Sequence, residues 1–237
     1  MSVQSVDVQG DWAELNEPQD LAHFVLGTKA QTLRRLRRMV RLSRIEDQVS
    51  FTVVQWQSIP ESLIETIQKS FPGQHLVVRS SALSEDGFVN SNAGAYTSLL
   101  NIDGSDALAL QEAIRHVIAS YSDTNPDNQV LVQPMLEKVL ASGVVFTRSL
   151  SSGAPYYIVN YDDVSGSTES ITSGSSQDHK TLMLRRDASP QSSNIPGRLL
   201  CLLPALREIE SLLSYDSLDV EFAITADAGL HILQVSR

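Results

Sequence analysis

Apolar positions recur along this chain with two different periods, and the dominant period changes once. In the front part the spacing is three and four residues. Leu33, Leu36 and Val40 form one stripe in "GTKAQTLRRLRRMV", which predicts a helix. "PESLIETIQKSF" predicts a second, entered at Pro60 and closed by Pro72 and Gly73. "SDALALQEAIRHVIASYS" predicts a third, with Ser105 as its cap. "HLVVRSS" and "AGAYTSLLNI" lie between them and read as strands. Further on, "NQVLVQPML", "SGVVFTRSL", "PYYIVNYD" and "TLMLRR" are rich in β-branched and aromatic residues and are parted by turn formers, so they read as successive strands. "GRLLCLLPALREIESLLSY" predicts a long amphipathic helix, interrupted or kinked at Pro204. "SLDVEFAIT" and "LHILQVSR", joined by "ADAG", predict a closing hairpin. The expected class is α+β, in two lobes spanning 1–104 and 105–237.

Composition narrows this picture. Hydrophobic residues make up 42% and charged residues 19% of 237, the balance of a globular protein. The net charge of −10 disfavours a general nucleic-acid binder. The charge is uneven: "LRRLRRMVRLSR" carries Arg34, Arg35, Arg37, Arg38, Arg41 and Arg44. Two readings stay open there, a solvated helix face and a patch for phosphate or an acidic partner. No apolar run approaches the roughly 20 residues that span a bilayer. The first twenty residues are polar and acidic, unlike a secretion signal, and Cys201 is the single cysteine. A cytoplasmic protein without membrane contact is expected.

Several groups of residues suit chemistry. Asp219 and Glu221 are two apart on a strand and share a face, and Gln234 is placed for one face of the facing strand. Carboxylate and amide oxygens side by side suit a hard cation such as Mg²⁺; they also suit the polar face of a hairpin. Lys29 follows Gly27 and Thr28 at a helix start, where free N–H groups favour phosphate, although the spacing is not that of a Walker motif. Gly94 lies in a small-residue loop that lets backbone approach a ligand, and Glu169 is the one charge in "SGSTESITSG". The five histidines show no metal-ligand spacing, and no Ser-His-Asp arrangement stands out.

Taken in order, these segments resemble one family. "VVRSSALSEDG…NAGAYTSLLNI" is similar to the "VRSSA…ED…FAGQ…FLN" segment of phosphoenolpyruvate synthase and pyruvate phosphate dikinase. "VLVQPML" resembles their "VVQKM", "ASGVVFTRSLSSG" their "SGVxFTxdPxtG", and "GSTESITSG" their "GLGExVVSG". "DVEFAITADAGLHILQVSR" is similar to "DIEWAIdxxgxLyiLQaR", and "LGTKAQTL" is a fainter echo of "GGKGANL". The resemblance runs from about residue 27 onward. It implies an ATP-grasp-like fold with ATP held between two lobes. It implies that Lys29 and Arg79 contact phosphates, the catalytic role in this family, and that Glu221 and Gln234 hold Mg²⁺. Gln133, Met135 and Leu136 would present backbone to the adenine, Glu169 would lie near the nucleoside, and Gly94 would cover the phosphates. Thr147 matches the threonine of "FT". Arg79 at a strand end can offer its planar fork to phosphate oxygens, with Ser80 and Ser81 adding short donors.

The match also departs from the family. Gly166-Ser167-Thr168-Glu169 lacks one glycine of "GLGE", Ser149-Leu150 replaces "dP", and Ser236 stands where the last arginine belongs, with Arg237 one step late. Nothing resembles the family's swivelling phosphohistidine carrier domain or its acceptor domain, so the expectation is a piece of a longer multidomain enzyme or half of a split one. The implied activity is a kinase-type phosphotransfer from Mg-ATP to a carrier histidine on another domain, in the full-length protein or in trans. The alternatives are a divergent small-molecule kinase of the same superfamily, such as the glutamine-kinase type, a degenerate nucleotide-binding module, and an interaction module built on the arginine-rich helix.

Overall fold

A computed structural model describes residues 4–8, 11–15, 26–82, 97–166, 179–189, 195–227 and 229–236. The chain forms two compact units, and each is discontinuous in sequence. The first comprises residues 1–27, 31–45 and 137–237; the second comprises 28–30 and 46–136. No single cut along the chain therefore separates them.

The second unit is built on a four-stranded antiparallel sheet in the order β3-β6-β4-β5. Its strands are β3 (Val49–Thr52), β4 (His75–Ser81), β5 (Ser98–Asp103) and β6 (Gln129–Pro134). Helix α1 (Lys29–Leu36) begins in this unit and runs on into the other. The short helix α2 (Val53–Ser58) and helices α3 (Pro60–Ser70) and α4 (Ala107–Ala119) complete it. The core gathers Phe51, Trp56, Ile64, Ile67, Leu76, Val78, Leu110, Ile114, Val117, Val130 and Val132. Phe51 and Trp56 stack with ring centroids 5.9 Å apart. In α4 the buried residues Leu110, Ala113, Ile114 and Val117 follow the expected helical spacing. Each fully buried aliphatic of this kind contributes about 1.5–3 kcal/mol of transfer free energy.

The cap of α4 differs from the sequence expectation. Asp106, not Ser105, accepts the N–H groups of Leu108 and Ala109 at 2.9 and 3.1 Å. Ser105 instead donates its N–H and hydroxyl to the Asp103 carboxylate. A carboxylate is the stronger acceptor and also meets the positive end of the helix dipole. Strand β3 and helix α2 had no clear signal in the sequence, since four residues are too few to show a period. Thr52 joins them with a reciprocal capping box to Gln55.

The first unit carries a five-stranded antiparallel sheet in the order β11-β10-β7-β8-β9. Its strands are β7 (Val139–Phe146), β8 (Tyr156–Asp162), β9 (Lys180–Arg185), β10 (Asp219–Thr225) and β11 (Gly229–Ser236), with a separate pair β1 (Gln4–Val8) and β2 (Asp11–Leu15). One face of the sheet, including Val145, Tyr157, Val159, Leu184 and Val220, is buried, and Tyr157, Val159 and Leu184 line a common apolar space with Leu202, Leu203 and Leu206 of α5 (Leu202–Leu213). The opposite face, with Val144, Phe146, Ile158, Asn160, Asp219, Glu221 and Gln234, is half-buried. Pro204 does not kink α5. It sits in the first turn, where its missing N–H would have had no intrahelical partner, and the interruption falls at Leu200 and Cys201, after a 3₁₀ turn over Gly197–Leu199.

The arginine-rich stretch after α1 is docked by its backbone. The N–H groups of Arg41 and Leu42 each donate to the Glu208 carboxylate at 2.9 Å. Arg44 forms a parallel bridge to His231 on β11. No helix among the described residues is long and apolar enough to cross a membrane.

Gly143 on β7 shows how tightly the sheet is packed. A Cβ there would meet the Asn160 carbonyl oxygen at 2.2 Å and Tyr161 Cα at 2.9 Å. Gly143→Ala should lower unfolding free energy by about 1–3 kcal/mol through overpacking against backbone. Gly197, with open space around it, should tolerate alanine within about 0.5 kcal/mol. Urea denaturation of the two variants checks the contrast.

Candidate functional site

In the second unit, polar side chains tie the start of α1 to the sheet. Ser81, two residues beyond Arg79 on β4 and so on the same face, accepts the N–H of Ala30 at 2.9 Å. Thr28 donates its hydroxyl to Gln129 Oε1 at 2.8 Å, and Gln48 donates its amide to the Ala30 carbonyl at 2.8 Å. These bonds hold Lys29, the first residue of α1, on the strand pair that carries Arg79. Thr28, Lys29, Arg79, Ser80 and Ser81 are all buried.

Arg79 stands out among them. Its Nε is buried and has no hydrogen-bond partner among the described residues. An arginine cannot shed its charge, so a buried guanidinium donor without an acceptor costs stability unless an anion meets it. Ser81, expected to add a donor beside Arg79, also accepts the Ala30 N–H through its oxygen. Gln133 is buried in β6 opposite Val77. The Met135 N–H is taken by the His75 carbonyl at 2.8 Å, and Leu136 follows it, half-buried.

In the first unit, β10 and β11 bring the oxygen donors together. Glu221 pairs directly with Gln234, and Asp219 with Ser236. Immediately beyond Glu221 the register shifts, so that Phe222 pairs with Ile232 and Leu233 is the extra residue. Such a bulge bends a strand and re-aims its side chains. It lets Glu221 and Gln234 share the half-buried face while Phe222 and Ile232 enter the core. Burial, reinforced by the nearby Glu221 charge, pushes the Asp219 carboxyl up to about 6. Sequence reasoning saw Asp219 on the same face but carried only Glu221 and Gln234 forward as metal ligands; the two-residue spacing was the signal that could have kept it.

Thr147 is fully buried just past the end of β7. Its hydroxyl donates to the Asp216 carbonyl at 2.8 Å and accepts the Leu218 N–H at 2.8 Å. Gly94, Glu169 and Arg237 lie outside the described residues.

A second polar cluster had no sequence signal, because its members are far apart along the chain. Arg186 forms a two-pronged ion pair with Glu210, at 2.8 and 2.7 Å, and donates to the Thr147 carbonyl at 2.9 Å. Tyr157 donates to Glu210 at 2.7 Å; burial first, and then that carboxylate, pushes the phenol up to about 12. Arg148 grips Asp216 with two bonds of 3.0 and 2.6 Å, which holds the Asp216 carboxyl below its ordinary range. An open cleft of about 580 Å³ borders this cluster, and none of the residues nominated from sequence lines it.

Comparison with known proteins adds the following. The family described as pyruvate phosphate dikinase, AMP/ATP-binding domain, matches residues 28–197. A prodigiosin synthesizing transferase, PigC of Serratia marcescens, is 36% identical over 116 residues, which cover 43% of this chain and 12% of that relative. The chain thus spans a small part of the curated relative it matches. Among solved structures, PH1788 from Pyrococcus horikoshii Ot3 superposes with a TM-score of 0.51 at 13% identity, covering 92% of this chain and 96% of that one. A RimK domain protein ATP-grasp from Sphaerobacter thermophilus gives 0.46 at 14% identity, over 91% of this chain and 59% of that one.

The carboxyl of Asp219 sets a pH prediction. Its folded pKa lies above the ordinary 3.8, so ionising it weakens the fold. The penalty is absent well below pH 3.8 and grows as pH rises toward 6. Asp219→Asn should therefore be more stable than the wild-type chain at pH 7.5 in EDTA, with the gap closing as pH falls toward 4. Urea unfolding across that range measures it; a constant gap would refute the assignment.

Proposed function

Given that the chain belongs to the pyruvate phosphate dikinase AMP/ATP-binding domain family, we propose that it binds Mg-ATP and serves as the nucleotide half of an ATP-grasp-type phosphotransferase. The observation that carries this reading is Arg79, a buried cation whose Nε has no acceptor among the described residues. A nucleotide phosphate is the anion that such a guanidinium suits, because its fork matches two phosphate oxygens. Lys29, on the first turn of a helix tied to the same sheet, adds a second cation at the positive end of that helix. Gln133, Met135 and Leu136 take the adenine edge through their backbone, with the Met135 N–H itself already bonded to the His75 carbonyl. Gly94 and Glu169 keep the phosphate-covering and nucleoside roles implied by the family.

The donor set of β10 and β11 fits Mg²⁺. Asp219, Glu221 and Gln234 offer hard oxygens on one half-buried face, where burial first and then the Glu221 charge raise the Asp219 carboxyl. Asp219, Glu221 and Gln234 would hold the ion, which supplies charge neutralisation at the phosphates. Phosphoryl transfer needs mostly positioning and charge neutralisation, and Lys29, Arg79 and the oxygen donors of β10 and β11 are groups of the kinds that supply them.

The acceptor in this reading is a histidine on a carrier domain, in the same protein or in trans, receiving the terminal pyrophosphoryl group and leaving AMP. The likeness to a prodigiosin synthesizing transferase favours a second reading, in which ATP energy serves the assembly of a small molecule. The opening "GTKAQTL", only a faint echo of the family's "GGKGANL", also supports such a divergent branch.

Calorimetry with ATP in EDTA tests the reading. Arg79→Met should weaken ATP roughly tenfold to a hundredfold, the loss of one charge-assisted hydrogen-bond pair. Unchanged affinity would sink the phosphate assignment, and indifference of the wild-type chain to adenine nucleotides would sink the function.

A further inference from the structure

We propose that Thr147 is a positioning residue for the oxygen-donor strand, acting through the backbone of residues 216–218 rather than by touching nucleotide. This rests on the metal reading of Asp219, Glu221 and Gln234 given above.

Four hydrogen bonds make the case. The Thr147 N–H donates to the Leu218 carbonyl at 2.8 Å, continuing the ladder that pairs Phe146 with Asp219. Its hydroxyl then bridges two more groups of the same segment, donating to the Asp216 carbonyl and accepting from the Leu218 N–H, each at 2.8 Å. The fourth arrives from outside: Arg186 donates to the Thr147 carbonyl at 2.9 Å. Thr147 is 0% exposed. Its hydroxyl thus serves one donor and one acceptor inside the fold and presents no surface to a ligand.

The segment it holds leads straight into the donors. Leu218 immediately precedes Asp219, and Glu221 follows two residues later. Two carboxylates on one strand face repel each other, so where they point depends on how the start of β10 is held. The clamp fixes the residue just before it. It is reinforced from the side chain of Asp216, which Arg148 grips with two bonds and Arg186 approaches at 3.9 Å. Serine supplies the same hydroxyl, valine the same shape without it. Removing it strands the buried Leu218 N–H and leaves the Asp216 carbonyl only the 3.5 Å bond from Arg186, next to the metal strand.

Titration calorimetry of MgCl₂ into the intact chain, alongside ATP in EDTA, reads the effect. Thr147→Val should weaken Mg²⁺ roughly tenfold, the usual size of a supporting-residue loss, and leave metal-free ATP within about twofold. Thr147→Ser should restore Mg²⁺ affinity. Arg148→Gln, a partly exposed change that frees Asp216 without emptying the core, should shift Mg²⁺ in the same direction, and it carries the test if the valine variant does not fold. Glu221→Gln separates the two levels of argument. If Glu221→Gln weakens Mg²⁺ while folded Thr147→Val and Arg148→Gln do not, the clamp proposal is wrong and the metal reading stands. If none of them weakens it, both fall. Failure of serine to rescue also overturns the clamp.

Discussion

Two acidic side chains held two residues apart on one strand face are costly, and much of the first unit is arranged around that cost. Asp219 and Glu221 cannot move apart because β10 is bonded on both sides, to β7 and to β11. The bulge opposite Glu221 keeps Gln234 on their face, and the neighbouring core residues Phe222 and Ile232 lock it in place. A surface hairpin under no such constraint would let the carboxylates turn out to water. The half-buried setting, with Val144, Phe146 and Ile158 around the acids, makes their mutual repulsion larger and a cation's neutralisation of it worth more.

The second unit solves the mirror problem. There the buried charge is positive, and it is the backbone of β4 that carries it inward. Arg79 is buried on a strand bonded to β5 and β6, so it has little freedom to retreat. Hydroxyl and amide side chains from Thr28, Gln48, Ser81 and Gln129 are spent on fixing one helix start, which leaves Lys29 with a defined origin. The candidate site residues are cations in the second unit and oxygen donors in the first.

Much of this was legible beforehand. The helices α3 and α4, the strand carrying Arg79 and the closing hairpin followed from three-and-four and alternating periods, and the α+β class with them. That Glu221 and Gln234 lie on facing strands of one hairpin could be read; their direct pairing could not, because the bulge shifts the register set by the turn by one residue. What escaped had physical reasons. Strand β3 is shorter than two periods. Asp106 outcompeted Ser105 because both are capping residues and only their charge separates them. The Arg186–Glu210–Tyr157 and Arg148–Asp216 ties join residues dozens of positions apart, and no local pattern encodes such pairings. The hydroxyl of Thr147 could not be assigned to backbone from a motif that gives only a threonine beside a strand end.

The interleaved course of the chain has a bearing on synthesis. Leu33, Leu36 and Val40 are buried, and they belong to the unit whose larger part begins at residue 137. On the ribosome the four-stranded sheet can close while that part is still being made, which takes roughly five to twenty seconds at common elongation rates. For that interval a greasy stripe bordered by arginines waits uncovered, the kind of nascent segment that chaperones hold.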